Sequence, residues 1–249
     1  MMFPRLPIKA LTTFTSQGGR PALEDHVIAL QSKGIFVVAD GFGGPIPGEL
    51  AARTACEGVR DFLDKEAGDL DATLPFVLRS YFSLAGNVLF NALIYANMKV
   101  IAKNKGKNVH EKGGASVLAG FMDGDLLALA NVGACTAWLL RDGKSVELVA
   151  PRTLGRLREP FLAESPEWLR APLTALGMSN DLEPEIFEYR VRPGDWLVLQ
   201  TDGVLPEVRE MMSETQVLGL SPSKAIQEVS IALKGAGYRD NVAASVVLF

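Results

Sequence analysis

Apolar positions along the chain change period several times, and each change predicts an element. Residues 11–14 read as a short opening strand, and 15–20 as a polar, Gly-rich turn. The runs 26–30 and 35–39, split by Gln31-Ser32-Lys33-Gly34, predict a strand hairpin. From Glu49 the period lengthens: Ala51, Thr54, Ala55, Val59, Phe62 and Leu63 recur at three and four, the spacing of an amphipathic helix. A longer helix is predicted from about residue 74 to 102, ending in the basic loop 103–112. Strands return at 116–122 and 126–132, joined by Asp123-Gly124-Asp125, then at 135–140 and 145–149 around Asp142-Gly143. Residues 151–177 are rich in Pro, Arg and Glu with little periodicity, so an irregular, flap-like insertion is expected there. Strands near 186–191 and 196–200, helices near 205–212 and 221–234, and a closing strand 243–249 complete the pattern. Meandering strands with long helices between them predict an α+β fold, with helices packed outside antiparallel sheets.

Composition narrows the function. The 249 residues are 48% hydrophobic with 24 Gly and 14 Pro, enough for a large core and many turns. A net charge of −4 gives no global attraction for nucleic acid, so a phosphorylated ligand must be drawn by local charge. The cysteines Cys56 and Cys135 match no zinc or redox spacing, and with only His26 and His110 besides, a nitrogen and sulfur zinc site is not expected. The beginning of the chain lacks a secretory apolar run, so a cytoplasmic location is expected. Residues 80–98 carry no charge and are long enough to cross a bilayer, but Gly86, Asn87, Asn91 and Asn97 favour a buried core helix, and no membrane contact is expected.

Three aspartates each follow an apolar run and precede a residue that permits a sharp turn: Asp40 before Gly41, Asp202 before Gly203, and Asp240 before Asn241. Carboxylates at strand rims are held rigidly yet reach solvent, and three rims can converge on one ion. Such oxygen donors suit Mg²⁺ or Mn²⁺. Arg20 lies four residues before Glu24, and Glu24-Asp25 opens a strand; a guanidinium matches phosphate with paired donors. Gly41, Gly43 and Gly44 let the main chain approach an ion, and the Gly41 carbonyl is itself a candidate ligand.

The combination resembles the metal-dependent protein serine/threonine phosphatases of the protein phosphatase 2C (PPM) type, in their bacterial form. The matching segments occur in family order: Arg20-Pro21-Ala22-Leu23-Glu24-Asp25; Val38-Ala39-Asp40-Gly41-Phe42-Gly43-Gly44 with Gly48-Glu49-Leu50-Ala51; Gly113-Gly114-Ala115-Ser116; Ala130-Asn131-Val132-Gly133; Leu173-Thr174-Ala175-Leu176-Gly177; Pro193-Gly194-Asp195; Thr201-Asp202-Gly203; and Asp240-Asn241-Val242. The resemblance implies one catalytic domain over 1–249, folded as a four-layer α-β-β-α sandwich with two central, mostly antiparallel sheets. It also implies two Mn²⁺ or Mg²⁺ ions, with Asp40 bridging, the Gly41 carbonyl on one ion, and Asp202 and Asp240 on the other. Glu24 and Asp25 would act through metal-bound waters, and Arg20 would grip the phosphate. The implied reaction is hydrolysis of phosphoserine and phosphothreonine in proteins, by direct attack of a bridging hydroxide on phosphorus. The implied partners are phosphoproteins, opposite a serine/threonine kinase, and the implied state is a monomer.

Two segments depart from the family. Gly133-Ala134-Cys135-Thr136 stands where Gly-Asp-Ser-Arg is usual, so a third, weaker metal site is expected to be weakened or lost at Ala134. Phe42 replaces a residue that is His in many eukaryotic members, and a phenyl ring cannot donate a proton to the leaving group. These changes motivate an alternative, a pseudophosphatase that binds a phosphoprotein or regulatory partner. A phosphatase of small metabolites is a further alternative, against which Arg152, Arg156, Arg158 and Trp168 of the insertion suggest contact with a protein surface.

Overall fold

A computed structural model describes residues 6–66, 78–158 and 169–249. Among the described residues, ten strands form two five-stranded sheets. The first has the order β1 (Ala10–Ser16), β10 (Val242–Leu248), β9 (Trp196–Gln200), β6 (Thr136–Arg141), β7 (Lys144–Val149). The second has the order β2 (Asp25–Leu30), β3 (Ile35–Phe42), β4 (Gly114–Asp123), β5 (Leu126–Val132), β8 (Glu185–Arg190). Every strand pairing is antiparallel. The first and last described strands lie side by side at one edge of the first sheet.

Three apolar layers separate four layers of structure. Phe36, Val38, Leu118, Leu129, Leu197, Leu199 and Val247 pack between the sheets. Val37, Ala39, Val117 and Ala130, on the opposite face of the second sheet, pack against α1 (Pro45–Glu66) and α2 (Leu84–Asn104). Val198, Val246, Ala244 and Trp196 pack against α4 (Pro206–Val217) and α5 (Pro222–Gly235). Because the central strands are covered on both faces, β5 and β10 are almost continuously apolar rather than alternating. The expected four-layer sandwich is therefore observed.

Several boundaries differ from expectation. α1 begins at Pro45 rather than Glu49, since proline has no N–H to lose in a helix's first turn. α2 begins at Leu84, ten residues after the expected start, because the Ser83 side chain caps it by accepting from the Gly86 N–H at 3.1 Å. Part of the expected early helix, 74–77, lies outside the described residues. α4 runs five residues beyond the expected end, to Val217.

α2 is long and apolar enough to cross a membrane, yet most of it is packed inside the protein. Its asparagines have specific work. Asn97 accepts from the Gly177 N–H and donates to the Ser179 carbonyl, both at 2.8 Å. Asn104 donates to the Gly113 carbonyl at 2.7 Å and accepts from the Gly113 N–H at 3.1 Å. These bonds fix the loops on either side of the helix end, which a purely apolar helix cannot do.

The 151–177 segment is anchored at its base. Thr153 bridges to Pro172, and Leu176 exchanges backbone hydrogen bonds with Ala115 of β4. It also holds a short helix, α3 (Leu154–Arg158). Residues 159–168, including Trp168, lie outside the described part. Two of its arginines are engaged in ion pairs, Arg152 with Glu185 and Arg156 with Glu147, each at 3.0 Å.

Candidate metal and phosphate site

A cleft of 330 Å³ opens at one end of the two sheets, lined by Arg20, Glu24, Asp25, Asp40, Gly41, Phe42, Arg170, Asp202, Asp240 and Asn241, with the neighbouring glycines. All seven residues singled out from the sequence are thus brought together: Arg20, Glu24, Asp25, Asp40, Gly41, Asp202 and Asp240. They come from both sheets and from turns far apart in the chain.

The second sheet supplies the floor. Asp25 and Asp40 are direct cross-strand partners in β2 and β3, and their carboxyls share a hydrogen bond. Asp40 is not the last residue of its strand, as expected, because β3 continues through Gly41 and Phe42 and pairs them with Ala115 and Gly114. Strand parity aims Asp25 and Asp40 between the sheets, on the face of Val27 and Val38. His26 points the other way, where the charges of Glu57 and Arg53 on α1 act on it and burial lowers its pKa. It is a structural histidine, remote from the cleft chemistry.

The first sheet supplies the opposing wall. Thr201, just past β9, donates its hydroxyl to Asp25 at 2.7 Å and accepts from the Ala243 N–H of β10 at 2.9 Å. This contact locks the two sheets together beneath the carboxylates. Asp202 follows in the turn, with its side chain open to the cleft yet closely surrounded by protein. Glycine is required next: a Cβ on Gly203 would meet the Asn241 carbonyl oxygen at 1.9 Å. The turns bearing Asp202 and Asp240 therefore touch backbone to backbone.

Asn241 organises the remaining edge. Its side chain donates to the carbonyls of Gln17 and Ala22 and accepts from the Glu24 N–H, all at 2.8 Å. One amide thus staples the 17–24 loop, which carries Arg20 and Glu24, to the start of β10. Glu24 in turn lies against Gly48, where a Cβ would meet its Oε2 at 1.8 Å. Arg20 reaches Asp240 through two hydrogen bonds of 2.7 Å, from Nε and from a terminal nitrogen.

The electrostatics are dominated by crowded negative charge. Five carboxylates face two guanidiniums. Burial, then the charge of Asp25, pushes Asp40 well up. Asp25 is raised by burial, partly offset by the Thr201 hydroxyl, and Asp202 by burial and Asp240. Glu24 is raised by burial against the pull of Arg20. Asp240 differs: burial pushes it up, but the paired hydrogen bonds from Arg20 outweigh that and hold it below the usual range.

These groups share one cleft but do not close on a point. Among the described residues, no three His, Cys, Asp or Glu side chains stand in caging geometry. Arg20 is bound to Asp240, and Asp25 and Asp40 are tied to each other. The donor set nevertheless fits a hard divalent cation, because carboxylates kept near one another with raised pKa values gain from a neutralising ion. Among the described residues, neither imidazole nor thiolate lines the cleft.

Three contributors were not singled out from the sequence. Thr201 and Asn241 sat inside recognised motifs, and only their contacts reveal their tasks. Arg170 lines the cleft and attracts Asp202 and Asp240, but it lies in the segment without periodicity, which gave no signal for it. Ala134 is 1% exposed and does not line the cleft among the described residues.

Two facing antiparallel sheets with helices on the outer faces are the fold of solved PPM-type serine/threonine phosphatases. The solved PPM Ser-Thr phosphatase MsPP of Mycobacterium smegmatis superposes with a TM-score of 0.74 at 21% identity, over 98% of this chain and 100% of that one. The catalytic domain of the phosphatase PstP, solved in complex with two manganese ions, gives 0.71 at 24% identity, over 96% and 98%. In sequence the chain is similar to serine/threonine protein phosphatase PstP of Mycobacterium tuberculosis, 27% identical over 229 residues, which cover 88% of this chain. The match spans 40% of that relative's length. No family model matches the chain.

Proposed function

We infer that the chain is a metal-dependent phosphatase acting on phosphoserine and phosphothreonine in proteins. The inference is carried by one observation: five carboxylates and two guanidiniums, drawn from both sheets, line a single cleft that fits divalent cations and a phosphate. The named activity of the PstP relative and the two manganese ions of the solved PstP domain support the same reading.

In this reading Asp40, the Gly41 carbonyl, Asp202 and Asp240 hold two Mn²⁺ or Mg²⁺ ions. Ions at such a site polarise phosphoryl oxygens and lower the pKa of water. The other roles belong to the chain itself. Glu24 and Asp25 accept hydrogen bonds from water and orient it, with Asp25 steadied by Thr201. The Arg20 fork, carried on the loop stapled by Asn241, binds the phosphate, and Arg170 adds a second positive charge. Phe42 walls the cleft and excludes water, but supplies no proton. Ala134, apolar and buried, offers nothing to a third ion.

Purified protein is expected to hydrolyse p-nitrophenyl phosphate and a phosphothreonine peptide with added Mn²⁺, and to lose the activity in chelator. Asp40→Ala or Asp202→Ala abolishes turnover. No hydrolysis in saturating Mn²⁺ across several phosphopeptides would overturn the inference. The second reading, a pseudophosphatase, draws support from the Arg20 grip on Asp240 and from Phe42. Calorimetry separates the two: binding of two Mn²⁺ ions without hydrolysis favours the pseudophosphatase.

A further inference from the structure

Phe42 lines two cavities at once. On one side is the acidic cleft; on the other is a larger groove of 780 Å³, formed by the end of α2, the loop after it and the 177–180 segment. The acidic cleft is sized for a phosphate ester and its ions, so the chain on either side of a phosphorylated residue must lie on neighbouring surface. The groove is the adjoining surface that shares a wall with the cleft.

Its chemistry is distinct from the cleft's. Phe42, Ile101, Val109 and Met178 give it an apolar lining, with Val109 77% and Met178 67% exposed. Lys105 and Lys112 line it, and among the described residues no Asp or Glu does. Lys103 and Lys107 flank them in sequence, and none of the four lysines enters an ion pair among the described residues. The nearby Glu111 carboxylate is turned to the backbone, where it accepts from the Asn108 N–H at 3.0 Å. A local excess of positive charge thus stands on a chain whose net charge is −4. The walls are also fixed in advance: Asn104 binds Gly113, and Asn97 binds Gly177 and Ser179, so the groove needs little ordering when filled.

We propose that this groove receives the polypeptide flanking the phosphorylated residue, and that it selects an apolar side chain with acidic neighbours. The proposal rests on the phosphatase reading and adds the sequence preference of the substrate. The apolar lining takes the aliphatic or aromatic side chain, while Lys105 and Lys112 meet the carboxylates. Exposed apolar surface rimmed by cations and sharing the Phe42 wall with the proposed phosphate site has no simpler occupant than the substrate's own flank.

The test compares phosphothreonine peptides flanked by Glu and Leu with peptides flanked by Lys and Ser, in Mn²⁺. The wild-type protein is expected to prefer the acidic, apolar flank by about ten-fold or more in kcat/KM, chiefly through KM. In the double variants K105E/K112E and V109D/M178D that preference collapses, and the ratio of peptide to p-nitrophenyl phosphate turnover falls with it. The neutral pair K105Q/K112Q, the mildest change to fold stability, is expected to lose part of the preference. Equal use of both peptides by the wild type, or a preference retained in all variants, overturns the proposal. If no ester is hydrolysed at all, the phosphatase reading fails on its own. Fluorescence anisotropy of the same labelled peptides then decides the groove: selective binding lost in the variants supports it, and no selective binding overturns it.

Discussion

Asp25 and Asp40 face each other across β2 and β3 in register, joined by a hydrogen bond and covered by the Thr201 hydroxyl. Burial raises both above the usual carboxylate range, and the charge of Asp25 raises Asp40 further. A carboxyl with a raised folded pKa destabilises the native state when ionised, and that penalty disappears as pH falls through the folded value towards the unfolded one. The metal-free protein is therefore expected to melt at higher temperature near pH 6 than near pH 8. Saturating Mn²⁺ should reduce or reverse the trend, because the cation favours the ionised pair. Thermal melts in chelator and in Mn²⁺ across that range check this.

Arg20 neutralises Asp240 through two 2.7 Å hydrogen bonds. Removing it leaves the cleft more negative, so Arg20→Ala is expected to bind Mn²⁺ several-fold more tightly by calorimetry. The same variant should lose phosphopeptide turnover, with KM rising about ten-fold or more. Arg20→Lys keeps the charge but not the planar fork, and should recover only part of the KM.

Asn241 makes three hydrogen bonds with loop backbone and is itself buried. Asn241→Ala leaves those backbone groups without their partner, so unfolding in urea is expected to show a loss of about 2–4 kcal/mol. Asn241→Asp keeps the acceptor for the Glu24 N–H but loses both donors and adds negative charge beside Asp240. It should lower activity even where the fold survives.

Both thiols are buried, and burial pushes Cys56 and Cys135 well above the ordinary thiol range. A thiol reagent is expected to label neither in the native protein and both after unfolding. Cys56→Ser should leave turnover intact, and inactivation by alkylation of native protein would contradict this.

Much of the fold was legible because periodicity reports which faces are buried. Nearly every strand lay within two or three residues of its expected place, and the apolar runs of β3, β9 and β10 marked strands covered on both sides. Helix starts were less legible, since they depend on single caps: Ser83 sets the start of α2, and the Gly43-Gly44 turn before Pro45 sets that of α1. In the cleft, residue types and motif order pointed to Asp40, Asp202 and Asp240, because carboxylates beside glycine or asparagine after apolar runs are locally visible.

Contacts across the chain were not visible in this way. The Arg20 grip on Asp240 spans 220 residues, and the Thr201 bond to Asp25 spans 176. Sequence alone determined which groups are available and which strand ends carry them, since local propensity and burial patterns act over a few residues. Only tertiary structure decided which of those groups meet, that Asp40 sits inside its strand, that Arg170 enters the cleft, and that Phe42 joins it to a second groove. The meeting of Asp25 with Asp40 and of both with Thr201 follows from the antiparallel register of β2 with β3 and of β10 with β1 and β9. Register is fixed by packing of the whole sandwich rather than by any one segment.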